Sequence, residues 1–257
     1  MGLDRYQVIA MIGEGCIGKI YRAFDRETGR TVALKMLRQD SPVTNARHHF
    51  VNEARLLARL NHPTIPAFHD FIAGRRSAIV LELIEGDDLE TLLSTRQSDF
   101  AAREVINWAV QVCDALSYLH QHTIHPIVFR DMKASHIMVN TQGKAWLIDF
   151  NLARPLPLGG RLERADRLGT AGFAAPEQYD GTALPASDVF GLGATLHYVL
   201  TRRDPRRESP FTFAPPRSVN PALSTQLEAV IMRTVAYKVE DRYQDACTLK
   251  QALLTCL

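Results

Sequence analysis

The sequence predicts an α+β chain of two lobes, a small antiparallel β-sheet with one helix over about residues 1–84 and a larger, mainly helical part over about residues 85–257. Three observations carry that prediction. Apolar residues alternate with a period of two through much of the first part, and one stretch there, Phe50, Ala54, Leu57 and Leu60, keeps helical spacing. From Thr91 onward the period lengthens to that of helices. With 46% hydrophobic and 23% charged residues, the 257-residue chain is long enough to bury a substantial core.

Taken in order, Tyr6 to Ile12, Lys19 to Phe24 and Thr31 to Leu37 read as strands. The helix around Phe50 to Leu60 ends before Pro63 and Pro66, which turn the chain back into strands at Ala67 to Ile72 and Ala78 to Ile84. An amphipathic helix follows from about Ala101 to Gln121, an apolar helix from Ser187 to Thr201, and two more near Leu223 to Tyr237 and Tyr243 to Leu254. Between them lie two short strand-like runs, His136 to Asn140 and Ala145 to Ile148, joined by a turn at Gln142-Gly143 and flanked by Asp131 and Asp149. The segment rich in Pro and Arg from Arg202 to Arg217 reads as a surface loop.

Composition narrows the partners. A formal net charge of +2 with no long block of like charge gives no reason to expect a nucleic-acid partner. No apolar run approaches the about 18 residues a membrane span requires, since even Val189 to Leu200 is too short. Cys16, Cys113, Cys247 and Cys256 are scattered without metal-ligand spacing, and nothing at the N-terminus looks like a secretory signal, so a reducing, cytoplasmic compartment is expected.

Gly13-Glu14-Gly15-Cys16-Ile17-Gly18 stands between two strands, where absent side chains let backbone N–H groups approach phosphate oxygens. By itself the run is equally a plain glycine turn, and a dinucleotide-binding reading would need a helix to follow where a strand does. Val32-Ala33-Leu34-Lys35 on the next strand places an ammonium group near phosphates beneath that loop. Glu53 faces the sheet with the periodicity of Leu57 and is positioned to pair with Lys35.

With these residues the sequence resembles the eukaryotic-type protein kinases, and among them the bacterial serine/threonine kinases, from about Tyr6 to Leu254. Leu60-Asn61-His62-Pro63-Thr64-Ile65-Pro66 looks like their loop after the first helix, and Asp241-Arg242-Tyr243-Gln244-Asp245-Ala246 like the start of their last helix. Phe129-Arg130-Asp131-Met132-Lys133-Ala134-Ser135-His136 matches the catalytic loop, and Asp149-Phe150-Asn151 matches the D-F-G motif. Gly169-Thr170, Ala175-Pro176-Glu177, Asp188 and Arg242 follow in the expected order.

The resemblance implies ATP held against Ile12, Gly13, Glu14, Gly15, Gly18, Ile20, Ala33 and Lys35, with Leu81 as gatekeeper and the backbone of Glu82 and Ile84 at the adenine. It makes Asp131 the acceptor of the substrate's hydroxyl proton, Lys133 a counter-charge near the γ-phosphate, and Asp149 the ligand of magnesium. Lysine two residues beyond the base is the serine/threonine form. It also implies that Thr170 contacts Asp131 and Lys133 beside the substrate, that Glu177 pairs with Arg242, and that Asp188 bonds the backbone of the catalytic loop.

Several positions depart from the family pattern. His136 stands where an asparagine oxygen would ligate a second metal, so that site is expected to be weakened or to favour manganese. Asn151 replaces the motif glycine with a residue that tolerates the left-handed region. Phe129 replaces a histidine and is expected to pack on Phe150. No Ser, Thr or Tyr lies between Asn151 and Gly169, so Arg130, which in many relatives docks a phosphorylated loop, is expected to turn to Glu163, Asp166 or water, and activity is expected without activating phosphorylation. Arg154, Arg161, Arg164 and Arg167 read as a solvated basic segment before they read as a site for acidic substrates, and Arg202, Arg203, Arg206 and Arg207 read likewise, with partner docking the second reading. Cys16 has no evident activation, and His120, His122 and His125 lack metal spacing.

The function expected is transfer of the γ-phosphate of ATP, with magnesium or manganese, to Ser or Thr of a protein substrate. The rival is a pseudokinase that binds nucleotide and acts as a scaffold, which would account for His136 and Asn151 together but gives no physical need for Lys35, Glu53, Asp131, Lys133 and Asp149. A small-molecule phosphotransferase is disfavoured by the segment Gly169 to Glu177. Oligomeric state is not legible.

Overall fold

The alternating segments near the N-terminus become strands in a computed structural model of the chain, which describes residues 2–74, 76–122, 125–156 and 169–257. The chain divides into two compact units, one ending at Glu85 and the other beginning at Gly86.

The small unit is an antiparallel sheet of β1 (Tyr6–Glu14), β2 (Gly18–Asp25), β3 (Arg30–Leu37), β4 (Phe68–Ile72) and β5 (Ala78–Glu82), in the order β1-β2-β3-β5-β4. Alternation on the central strand separates two faces. Val32 and Leu34 join Tyr6, Ala23, Ile72, Ala78 and Val80 in one buried cluster. Residues of the opposite parity, Ala33, Lys35 and Leu37, turn towards α1 (Ala46–Leu57), where Leu37 and Ile79 meet Phe50 and Ala54. The helix stops three residues short of the Leu60 expected from periodicity because its last turn tightens, with Arg59 and Leu60 N–H bonding the carbonyls of Leu56 and Leu57.

The large unit opens with β6 (Asp87–Asp88) and α2 (Leu89–Thr95), whose N-cap Asp88 accepts from Thr91 N–H. Then come α3 (Ala102–His120), β7 (Ile127–Val128), β8 (Ile137–Val139), β9 (Ala145–Leu147), β10 (Arg154–Pro155), α4 (Pro176–Tyr179), α5 (Pro185–Thr201), α6 (Pro216–Val219), α7 (Thr225–Thr234) and α8 (Ala246–Leu254). The hairpin β8–β9 turns at Gly143, whose φ of 78° suits glycine, and the Asn140 side chain accepts from Gln142 and Lys144 N–H. Gln111 of α3 pins that turn by donating to Gly143 O and accepting from Ala145 N–H. His136 lies in a 3-10 turn, Ala134–His136, ahead of the strand expected to start with it.

α5 is apolar around most of its circumference and is buried along almost its whole length, as a central helix must be. Gly191 lets it approach the loop between β7 and β8. A Cβ there would stand 2.8 Å from Met132 Cβ, closer than real contacts allow, and 3.1 Å from Met132 O. The expected loop from Arg202 to Arg217 contains a short 3-10 turn at Pro205–Arg207 and ends in α6.

Arg242 is a buried charge of this unit, 1% exposed. Its guanidinium forks onto Glu177 at 2.8 and 2.9 Å and donates to the carbonyls of Ala236, at 2.7 Å, and Tyr237, at 2.8 Å. Removing one partner of such a pair leaves a charge without compensation. Arg242→Ala is expected to lower unfolding free energy by about 3–5 kcal/mol, read from urea unfolding at unchanged slope. Arg242→Lys should recover little, since an ammonium lacks the planar fork that serves carboxylate and carbonyls together.

Candidate active site

In the small unit the glycine run forms the turn between β1 and β2, closed by Gly15 N–H to Gly18 O at 2.8 Å. Ile12, Gly13 and Glu14 end β1, and Gly13 pairs with Ile20. Gly18 crosses above Lys35: a Cβ at 18 would meet Met36 O at 3.1 Å and Lys35 Cγ at 3.3 Å. Glu14 is held by Arg38 at 2.9 Å and by Lys19 at 3.6 Å. On the α1 side of β3, Lys35 Nζ donates to Glu53 Oε1 at 2.6 Å, with the two residues 5% and 1% exposed. Ala33 pairs with Leu81, and Ile84 is buried. Glu82 N–H is engaged by Ala67 O at 2.8 Å, so an adenine would meet the Glu82 carbonyl and not its N–H.

In the large unit the catalytic-loop residues are assembled around Asp188, which is 1% exposed. Its carboxylate accepts from Phe129 N–H at 2.8 Å, Arg130 N–H at 2.7 Å and His120 Nε2–H at 2.9 Å. Arg130 is thereby held at φ 74°, an unusual conformation for a side-chain-bearing residue. Gln178 secures the other side, donating to Arg130 O at 2.8 Å. Beyond this anchor, Asp131 Oδ1 accepts from the Thr170 hydroxyl at 2.7 Å, and Lys133 Nζ donates to Asp131 Oδ2 at 3.0 Å and to Thr170 Oγ1 at 2.8 Å.

His136 stands beside them, 8% exposed, with Nδ1 2.8 Å from Asp131 O and Nε2 3.5 Å from Asp149 Oδ2. Burial pushes its imidazole towards the neutral form, against the opposing pull of Asp149 and Asp131. The backbone at Asp149 is left-handed, with φ 64°, while Asn151 is not among the left-handed residues. The tolerance that asparagine brings is not used at Asn151, and the left-handed residue of the motif is Asp149. Phe129 packs edge-on against Phe150 at 5.2 Å and against His136 at 6.2 Å.

Sequence reasoning missed two supporting residues. His120 was weighed only as a metal ligand, although its place on the apolar face of α3, four residues beyond Leu116, is the signal of a buried partner. Gln178, 6% exposed, carries no sequence signal of its own. The Arg202 cluster is neutralised within the unit. Arg202 bonds Asp99 and the carbonyls of Leu93, Arg96 and Ser98, Arg203 pairs with Glu208, Arg206 with Asp204 and Glu90, and Arg207 with Asp204. Arg154 folds back onto Asn151 O and Ala153 O. Arg161, Glu163, Arg164, Asp166 and Arg167 lie outside the described residues.

A family model for the protein kinase domain matches residues 6–247. The chain belongs to the protein kinase family. Its curated relatives include the serine/threonine-protein kinase PknB of Mycobacterium tuberculosis, 32% identical over 98% of this chain and 42% of the relative. The PknB of Mycobacterium leprae is 31% identical over 98% and 43%, and the probable PknB of Corynebacterium glutamicum 31% over 95% and 41%. The chain thus spans about two fifths of the length of these bacterial kinases. Among the described residues no helix is long and apolar enough to cross a membrane.

Whether the site suits a divalent cation is a question of donors. Among the described residues no three His, Cys, Asp or Glu side chains are grouped to hold a metal alone. Asp149 and His136 offer two donors side by side, a set that fits a kinase cation whose shell nucleotide oxygens complete.

Asp188→Ala tests the anchor. It strips two backbone N–H groups and an imidazole of their acceptor, at about 1–3 kcal/mol each for a buried donor left unmade. Hydrogen exchange should show the amides of Phe129 and Arg130 losing protection before those of α3 and α5.

Proposed function

We propose that this chain is a serine/threonine protein kinase, its two units being the lobes of a single domain spanning residues 1–257, that transfers the γ-phosphate of ATP to hydroxyl groups of a protein substrate. The observation that carries the reading is the triangle of Asp131, Lys133 and Thr170, in which a carboxylate already accepts from an alcohol at 2.7 Å with an ammonium bridging both at 3.0 and 2.8 Å. A substrate hydroxyl needs the same acceptor to be oriented for attack and to give up its proton.

Each residue then has a distinct task. Asp131 orients the substrate hydroxyl and takes its proton. Lys133 meets the negative charge that builds on the transferred group. Lys35, its rotamer fixed by Glu53, contacts the α- and β-phosphates, and the backbone N–H groups of the glycine turn approach the phosphates from above. Asp149 supplies carboxylate oxygen to a divalent cation, which when bound neutralises phosphate charge. Thr170 holds Asp131 and Lys133 in register until substrate arrives.

Activity needs no phosphate on the segment between Asn151 and Gly169, because that segment contains no hydroxyl-bearing side chain. The four unpaired cysteines suit a reducing, cytoplasmic setting. The second reading, a pseudokinase scaffold, is favoured by the imidazole of His136 where the family has an oxygen ligand.

The test is transfer of labelled phosphate from ATP to a generic basic protein and to the chain itself, with magnesium and manganese in parallel. Unphosphorylated protein should be active, and Asp131→Asn should lower the rate by about 10²–10⁴-fold. Thr170→Val, nearly isosteric, should lower it by roughly ten- to a hundredfold, the worth of a hydrogen bond to a charged group. ATP binding without transfer under either metal would establish the scaffold instead.

A further inference from the structure

The turn from Gly13 to Gly18 is tied along one side to the segment that leads from β3 into α1. Ser41 Oγ donates to Cys16 O at 2.7 Å, Arg38 N–H donates to Ile17 O at 2.9 Å, and Arg38 Nη1 reaches Gly15 O at 3.4 Å. The ties are themselves fixed. Val43 N–H donates to the Ser41 hydroxyl at 3.2 Å, and the Arg38 guanidinium is held by the carboxylates of Asp40 at 3.0 Å and Glu14 at 2.9 Å. Ile17, 4% exposed, packs with Phe50, Ala54 and Ile79, the same apolar contacts that hold α1 to the sheet.

In a trans peptide the C=O of one residue and the N–H of the next point in opposite directions. Three successive carbonyls turned towards residues 38–41 therefore turn the N–H groups of Cys16, Ile17 and Gly18 away from that segment. Successive N–H groups presented in this way make a concave site for an anion. Their direction is imposed from outside the glycine run, by a hydroxyl, a guanidinium and one amide of a neighbouring segment. A glycine turn without such ties would have to give up its conformational freedom when the anion binds.

We propose that Arg38 and Ser41 are positioning residues for nucleotide phosphate, holding the glycine turn in its anion-binding form before the ligand arrives, as Glu53 does for the rotamer of Lys35. The inference rests on the kinase reading, which assigns the phosphates to this turn. Both residues act through the carbonyls of residues 15–17 and not by contact with the ligand.

The experiment is calorimetric titration of the full chain with adenosine, ADP and a non-hydrolysable ATP analogue, all in magnesium. Adenosine carries the base and ribose without the anion, so comparing it with the analogue isolates the phosphate contribution. Ser41→Ala is expected to weaken ADP and the analogue by about three- to tenfold, the worth of one hydrogen bond, and to leave adenosine unchanged. Arg38→Met, which keeps the stem and removes the guanidinium, should act in the same direction, and Ser41→Thr, which keeps the hydroxyl, should restore the parent affinity. Equal weakening of adenosine and analogue would reduce the ties to a structural role, and unchanged affinity in both variants would mean that the phosphates do not need them. Either outcome overturns the proposal, as does a parent chain that binds the analogue no better than adenosine. Phosphate transfer is measured alongside: binding that shows the expected losses without transfer sinks the kinase reading and keeps the positioning role, and transfer with variant affinities unchanged does the reverse.

Discussion

One buried carboxylate sets the geometry of the large unit. Asp188, 1% exposed, sits four residues into α5 and satisfies the N–H groups of two successive residues of the catalytic loop and an imidazole from the end of α3. Two adjacent amides aimed at one carboxylate force the chain to bend, which is why Arg130 adopts a left-handed φ. The bend directs Asp131 away from the helix and towards Lys133 and Thr170. α5 approaches closely enough to do this because Gly191 has no Cβ to strike Met132. Its first turn is fixed in turn by Ser187, whose hydroxyl donates to Glu177 at 2.6 Å, and Glu177 is clamped by Arg242. Hydrogen bonds thus run from Arg242 through Glu177 and Ser187 to the turn of α5 that carries Asp188, and from Asp188 to the backbone just before Asp131.

Stability alone does not account for the other buried pair. Lys35 and Glu53 are almost fully removed from water, and the desolvation of two charges roughly cancels their attraction, so an apolar pair of the same volume would hold α1 to the sheet as well or better. The surrounding residues Phe50, Ala54 and Ile79 already supply that apolar contact. What the ion pair adds is a lysine rotamer that is fixed before any ligand arrives. The arginines of residues 202–207 show the contrast: exposed or half-exposed, each is spent on a local acidic group or carbonyl, and none has been carried into the interior.

Much of this was legible because it is written in periodicity and in residue type. The sheet, α1, α3 and α5 follow from spacing, and Lys35, Asp131 and Asp149 from short motifs with a chemical reason for each member. What escaped depends on contacts between residues far apart in the chain. Gln178 reaches Arg130 across 48 positions and His120 reaches Asp188 across 68; the apolar face of α3 announces that His120 has a buried partner but not which residue it is, and Gln178 announces nothing. Asn151 tolerates a left-handed backbone by residue type, but tolerance is not demand. The demand falls on Asp149, where the chain leaves β9 and must turn its carboxylate towards His136.

Phe129 joins the two halves of this arrangement. Its N–H belongs to the Asp188 anchor, while its ring lies between Phe150 and His136, edge-on to both. An aromatic ring packed in this way resists translation more than an aliphatic chain would, because edge-to-face contacts are favourable over a narrow range of angle. A histidine at this place would bring ring N–H groups needing partners in a pocket that is 1% exposed, whereas phenylalanine brings none. The apolar ring therefore leaves the imidazole of His136 as the polar ring beside it, with Nδ1 tied to Asp131 O and Nε2 facing Asp149. The two departures from the family pattern, at 129 and 136, act together: the first clears and stiffens the wall against which the second is aimed.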